Sequence, residues 1–194
     1  MSGLLTKQSL RQEALLHRDR IDPASEDSEQ AARNFMEAIA PKPGQVIALY
    51  WPKGREFDTM PLLYHLLEGG WLCALPVIQK GEKRLRFAGF SADDKVDAGP
   101  YGLMQPAVHE NTLWVDPDIF VIPLLAFDRH GHRLGYGGGY YDTTLHYYRH
   151  DEEKTVLAVG YAYAQQAVLF NLPVEAHDER LDWIVTPQKA QRYS

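Results

Sequence analysis

The chain has 194 residues, 45% apolar and 24% charged, with a formal net charge of −6; this composition fits one soluble globular domain, and the acidic balance argues against broad nucleic-acid binding. Its one cysteine, Cys73, excludes an intramolecular disulfide and reads as a buried, inert thiol. The longest apolar run, residues 119–127, contains a proline and falls short of the roughly 20 residues that span a bilayer, and the N-terminus lacks the apolar core of a signal peptide, so a cytoplasmic protein with no membrane partner is expected.

In chain order, residues 3–20 read as a helix, rich in Leu, Gln, Glu, Ala and Arg. Lys7, Arg11 and Arg18 fall on one stripe of it. Asp27 is placed to cap a second helix, with Gln30 in the capping-box position, and that helix stops near Ala40 before Pro41. Residues 46–50 form a buried strand and 51–57 a loop. Asp58 or Thr59 caps a helix carrying Leu62, Leu63, Leu66 and Leu67, ended by Gly69-Gly70, and residues 71–77 return as a strand. This β-α-β unit implies parallel pairing. Residues 83–90 alternate as a half-exposed strand, and 91–111 carry no clear pattern. A strand over 118–123, a loop over 128–139, a helix over 140–150, a strand over 155–160, a short helix over 164–170 and a last strand over 183–186 complete the pattern. The expected fold class is α/β, a single three-layer domain over 1–194 whose mostly parallel central sheet is flanked by helices.

The loop at 128–142 carries the chemistry. Five of the nine positions from 131 to 139 are glycine, where average usage gives about 0.6. Glycines let backbone N–H groups converge on a ligand. The loop leaves an apolar strand and opens a helix, whose first amides are unpaired and whose dipole end is positive, so it suits a phosphate. Its spacing matches neither the Walker pattern nor the dinucleotide fingerprint. His130 and His132 lie close together but have no cysteine partner and fall short of a four-ligand zinc site. No Gly-x-Ser-x-Gly elbow and no Cys/His nucleophile pattern is present.

The run from Ile122 to Asp142, with Arg133-Leu134-Gly135 and Gly137-Gly138-Gly139-Tyr140-Tyr141-Asp142, resembles the signature of the 5-formyltetrahydrofolate cyclo-ligases, also called methenyltetrahydrofolate synthetases. Other segments agree in order: Lys7-x-x-Leu10-Arg11, Glu56-Phe57-Asp58-Thr59, Leu75-Pro76-Val77, and Pro173 to Asp178 followed by Leu181-Asp182 and Val185-Thr186. The likeness covers nearly the whole chain.

This resemblance implies an enzyme that converts 5-formyltetrahydrofolate and ATP to 5,10-methenyltetrahydrofolate, ADP and phosphate with Mg2+, on a fold of the broad sugar-phosphate-isomerase and CoA-transferase type, acting as a monomer. By the same resemblance, Lys7, Arg11 and Arg133 are the catalytic cations and reach the ATP phosphates. Leu134, Gly135, Tyr136, Gly137, Gly138, Gly139, Tyr140 and Tyr141 form the nucleotide loop. Asp142 and Asp178 hold magnesium, an ion that takes carboxylate, phosphate and water oxygens. Glu56 contacts the folate, and Trp51 and Tyr140 line its flat ring pocket; Trp114 is a further ring that could cover a pterin. Arg18 is assigned no role. The chain departs from the family pattern at Tyr136, where an arginine is usual, and at Gln105, where a glutamate is usual. These departures leave a non-catalytic folate- or nucleotide-binding protein as the alternative, and the fold type alone would also admit an isomerase or acyl-transfer enzyme that works without ATP.

Overall fold

The computed structural model describes residues 6–194, so positions 3–5 of the first expected helix lie outside it. Helix α1 (Lys7–Arg18) begins at a capping box: the Thr6 side chain accepts from the Ser9 amide and the Ser9 side chain from the Thr6 amide. Asp27 caps α2 (Ser28–Ile39) by accepting from the Glu29 and Gln30 amides. Gln30 does not complete the box, because its side chain bonds Asn34 and Arg33 instead. Strand β1 (Val46–Ala48), helix α3 (Met60–Glu68) and strand β2 (Leu72–Val77) form the expected unit, with β1 and β2 parallel. Asp58 supplies the α3 cap, accepting from the Met60 amide at 2.9 Å. The Thr59 hydroxyl is turned inward and donates to the Tyr50 carbonyl at 2.7 Å.

The second half adds β3 (Arg86–Phe90), antiparallel to β2, and then a two-stranded flap, β4 (Val96–Ala98) with β5 (Met104–Pro106), from the stretch that had no sequence pattern. Edge strand β6 (Trp114–Val115), central strand β7 (Ile119–Ile122) and a small hairpin, β8 (Ala126–Phe127) with β9 (Arg133–Leu134), follow. Arg133 and Leu134 are therefore strand residues, not part of an unbroken loop. Helix α4 (Tyr140–His146) passes into a π-helical turn over Tyr147–Asp151, and the chain closes with β10 (Leu157–Tyr161), β11 (Trp183–Val185) and β12 (Ala190–Arg192).

Two expectations need correction. The helix expected over 164–170 is only a 3-10 turn, Ala164–Gln166. The Gln166 side chain there donates to the Leu124 and Leu125 carbonyls, and the Val168 amide pairs with the Phe127 carbonyl, so tertiary bonds pull the segment extended. The sheet also does not end at β11, since a turn held by the Thr186 hydroxyl returns the chain as antiparallel β12.

The main sheet runs β12-β11-β10-β7-β1-β2-β3-β6. Neighbours from β11 to β2 pair in parallel, and the antiparallel strands lie at the two edges. Period-two alternation divides the strands between the faces. Ile47, Leu49, Cys73, Leu75, Val121 and Tyr161 meet α2 and α3, while Ala48, Ala74, Phe120, Ile122 and Ala158 meet Leu145 and Tyr148 on the α4 side. Burying each of Leu62, Leu63 and Leu66 on α3 stabilises the fold by about 1.5–3 kcal/mol. Cys73 is buried, and burial pushes its thiol up to about 12, so it is inert at neutral pH. Among the described residues no helix is long and apolar enough to cross a membrane.

The chain leaves β1 toward β2 on one side and leaves β7 toward β10 on the other. The carboxyl ends of β1 and β7 are therefore a topological switch point, where loops diverge and leave a crevice. The loop bearing Glu56 and the glycine loop both rise from this point.

Candidate active site

The wall after β1 is locked from below. Phe57 is buried between the rings of Tyr161 and Tyr163, with centroids 5.1 and 4.8 Å away. The Tyr50 hydroxyl donates to the Phe57 carbonyl at 2.7 Å. With Phe57, Asp58 and Thr59 all committed inward or to the α3 cap, Glu56 is held at the rim. Its Oε2 accepts from the Lys53 amide at 2.8 Å. Burial raises the Glu56 pKa, against the nearby Tyr136 hydroxyl, the Lys53 amide and the charges of Arg18 and Lys53.

The opposite wall is the glycine loop. Its base is organised by Asp128, only 1% exposed, which accepts from the amides of His130, His132 and Leu172 at 2.8, 3.1 and 3.0 Å. His132 Nδ1 faces the same carboxylate, and His130 accepts from Arg129, so both histidines are engaged within the loop. Burial would raise the Asp128 pKa, but the hydrogen bonds from Leu172, His130 and His132 outweigh it and hold the group below the usual carboxylate range. A depressed folded-state pKa gives stability that is present above the unfolded value, about 3.9, and is lost as pH falls through the folded one. Asp128→Asn should cost about 1–2 kcal/mol at neutral pH and weaken the acid dependence, as thermal melts at pH 7 and pH 3 would check.

Above that base the loop is bare. Among the described residues, no backbone N–H from residues 135–139 meets an acceptor. Gly137 and Gly139 have φ of 92° and 73°, the left-handed region that other residues enter at a cost. Gly139 also ends the loop at the start of α4, where its amides add a positive dipole end.

Helix α1 supplies the cations. Its buried Leu10 seats it against Ala126, Leu134 and Leu172, which turns the basic stripe toward the crevice. Arg11 Nε donates to the Gly135 carbonyl at 3.0 Å. Lys7 Nζ lies 2.8 Å from Glu175 and 2.5 Å from Asp178. Burial alone would lower the Lys7 pKa, but its hydrogen bonds to Asp178 and Glu175 raise it above the ordinary value. Arg133, from β9, donates to Asp142 Oδ1 at 2.7 Å and to the Glu179 carbonyl, and the Glu179 amide donates to the same Asp142 oxygen.

Six of the sequence-predicted residues thus meet as pairs: Lys7 with Asp178, Arg11 with Gly135, and Arg133 with Asp142; Glu56 is held by the Lys53 amide. Among the described residues Asp178 groups closely with Glu175 and His177, and Asp142 is not in that group; Glu179, the residue after Asp178, reaches Asp142 through its amide. The Leu134 side chain points into the α1 cluster, and Tyr141 packs against the α4-side core. Trp51 lies edge-on to Phe90, with centroids 6.2 Å apart. Trp114 sits beneath Arg86 on the far edge of the sheet, 3.7 Å from its guanidinium carbon, so the ring facing Tyr140 is Tyr101, not Trp114.

Tyr101 comes from the flap. Its ring centroid is 6.3 Å from that of Tyr140, with the hydroxyls 3.3 Å apart, and Lys53 donates to its carbonyl. Sequence reasoning missed Tyr101 and Lys53 as lining groups; the only local signal was the Pro100-Tyr101-Gly102 turn, where Tyr101 takes φ 59°. Gln105 has a structural task in the flap: its Oε1 accepts from the Ile78 amide at 3.1 Å, just past β2. Gln105→Ala should cost about 1 kcal/mol and loosen the flap, seen as faster proteolysis at residues 96–106.

A profile of the 5-formyltetrahydrofolate cyclo-ligase family matches residues 5–187. The Escherichia coli (strain K12) protein named 5-formyltetrahydrofolate cyclo-ligase is 32% identical over 167 residues, covering 84% of this chain and 90% of that protein. The Mycolicibacterium smegmatis protein of the same name is 29% identical over 191 residues, covering 95% of each. Among solved structures, Aquifex aeolicus 5,10-methenyltetrahydrofolate synthetase superposes with a TM-score of 0.78 at 28% identity, covering 97% of this chain and 93% of that one.

Proposed function

This chain belongs to the 5-formyltetrahydrofolate cyclo-ligase family, and from that premise we propose that it works with ATP and magnesium in the crevice between the glycine loop and Glu56. It is an enzyme that converts 5-formyltetrahydrofolate to 5,10-methenyltetrahydrofolate. The observation that carries the nucleotide assignment is the run of unpaired amides at 135–139 beside Arg11 and Lys7.

A formamide oxygen is a poor leaving group. Transfer of the γ-phosphoryl group to that oxygen, with ADP departing, makes it a good one. N10 then attacks the formyl carbon, the carbon–oxygen bond breaks, phosphate leaves, and the N10 proton is lost. The protein's part is to position the reactants and neutralise charge. The 135–139 amides cradle the phosphates, while Lys7, Arg11 and Arg133 offset their charge. Glu56 orients the folate by accepting from its N–H donors, with Tyr140 and Trp51 along the flat ring. Magnesium takes only one or two protein carboxylates beside phosphate and water, and Asp142 fits that habit, with one oxygen outside its bonds to Arg133 and Glu179; both Asp178 oxygens accept from Lys7, so Asp178 would join the ion only on releasing that ammonium. When bound, the ion would neutralise phosphate charge.

The departures at Tyr136 and Gln105 do not make this a non-catalytic binding protein. Gln105 retains the acceptor oxygen that the Ile78 amide requires, and a cation, Arg18, stands beside Tyr136. The direct test follows methenyltetrahydrofolate absorbance with 5-formyltetrahydrofolate, ATP and magnesium. Product that depends on both ATP and magnesium is expected; turnover without ATP would refute the phosphoryl-transfer route.

A further inference from the structure

The turn after α4 holds two histidines that the crevice does not use. His146 closes α4 and His150 lies in the π-helical turn that follows, so residues four apart stand on one face. Their ring centroids are 4.5 Å apart. Glu179 reaches them from the segment after Asp178: its Oε1 lies 3.2 Å from His146 Nδ1 and 3.3 Å from His150 Nε2. The three side chains offer ligand atoms that all fall within 4.8 Å of one another. The other Glu179 oxygen, Oε2, accepts from Arg149 at 3.0 Å, and Arg149 is itself anchored on Asp182 at 2.6 Å. The carboxylate is therefore held with Oε1 toward the histidines.

As an ion pair this arrangement is poor. Two imidazoliums so close would repel each other while sharing one carboxylate oxygen, and each histidine side chain is 57% exposed, where such a pair gains little. As a ligand set it is apt. Two histidines at i and i+4 on one helix face, joined by a glutamate from elsewhere in the chain, form a donor set of zinc. Zinc bonds of about 2.0–2.1 Å in a tetrahedron place neighbouring ligand atoms about 3.3–3.4 Å apart, and the two nitrogen–oxygen separations are 3.2 and 3.3 Å. The Arg149 bond is the kind of outer contact that fixes a ligating carboxylate. We propose that His146, His150 and Glu179 bind a divalent transition-metal ion of the zinc class, with water completing its shell.

The ion would tie together two segments distant in sequence. Glu179 is also the residue whose amide donates to Asp142 and whose carbonyl accepts from Arg133, so a metal at its side chain pins the backbone that holds both. Magnesium is a weak competitor here, because it prefers oxygen ligands and imidazole suits zinc, copper and nickel. The site is therefore independent of the magnesium and ATP assignments. The group of Glu175, His177 and Asp178 has similar spacing, but the Lys7 ammonium already stands against both of its carboxylates.

The experiment titrates Zn2+ into the full-length, chelator-treated protein by calorimetry at pH 7.5, with magnesium in excess and no nucleotide, and follows the melting temperature with and without Zn2+. The variants are His146→Ala, His150→Ala, the double variant, Glu179→Gln and, as a control outside the site, His177→Ala. One equivalent of Zn2+ is expected to bind the wild type and raise its melting temperature. Each substitution at the three ligands should weaken binding about tenfold or more, and the double histidine variant should lose the thermal shift. Glu179→Gln keeps the backbone bonds to Asp142 and Arg133, so its metal-free melting temperature reports whether the fold survives. His177→Ala should bind Zn2+ as the wild type does. No binding to the wild type at about 100 μM Zn2+, far weaker than protein zinc sites, would overturn the site. So would binding that survives in the double histidine variant, or that Glu179→Gln leaves unchanged, or that falls with His177→Ala instead.

Discussion

Lys7→Met should lower kcat/KM for ATP by about 10²–10³-fold while changing KM for the folate far less. Lys7 projects from the first turn of α1 between Glu175 and Asp178, at 2.8 and 2.5 Å. Both carboxylates have pKa values below the ordinary range: for Glu175 the hydrogen bond from Lys7 is the largest cause, and for Asp178 burial is the largest effect but is outweighed by the Lys7 bond, the Glu175 amide and the nearby positive charge together. Without the ammonium, two ionised acids would face an incoming triphosphate, so the change removes an attraction and exposes a repulsion. Methionine keeps the length and apolar packing of the stem, which separates charge from folding. Initial rates with each substrate varied in turn decide the matter, and equal losses for ATP and folate would remove the phosphate role.

Gly137→Val should be as damaging, through the backbone rather than through charge. At φ 92° a β-branched residue is strained by about 1–2 kcal/mol. A Cβ here would also stand 3.2–3.4 Å from the Arg11 guanidinium, pressing on the side chain that holds the Gly135 carbonyl. The loop is exposed at this point, so the fold can survive while the amides lose their common direction. A loss of 10²-fold or more in kcat/KM for ATP is expected, with a melting temperature within a few degrees of wild type. Gly135→Ala is the internal control: nothing lies within 4 Å of a Cβ there and its φ is not positive, so it should retain most activity. Equal activity in the two variants would show that loop conformation is not what the reaction needs.

Much of the architecture is legible locally. The β1-α3-β2 unit follows from an apolar run, a leucine stripe and a double-glycine stop, and these signals act over a few residues. Asp27 caps α2 as its position suggests. The failures have a common cause. Residues 164–170 have helix-compatible sequence, yet bonds from Gln166 to residues 42 and 41 positions away overrule it. Strand β12 has polar residues and exists because β11 offers it an edge. The flap at 96–106 likewise needs the end of β2, through Gln105 and Ile78.

The site divides along the same line. Sequence alone determined that glycines cluster before a helix, that lysine and arginine share a stripe of α1, and that these elements occur in the order of one enzyme family; each depends on spacing along the chain. Only the tertiary structure decided which charges meet. Lys7 and Asp178 are 171 positions apart and Arg18 and Tyr136 are 118 apart, and such pairs form because packing Leu10 of α1 against the β8–β9 hairpin carries whole elements into register. Side-chain contacts of that range are set by how rigid elements dock, and a linear pattern of residue types holds no record of the docking.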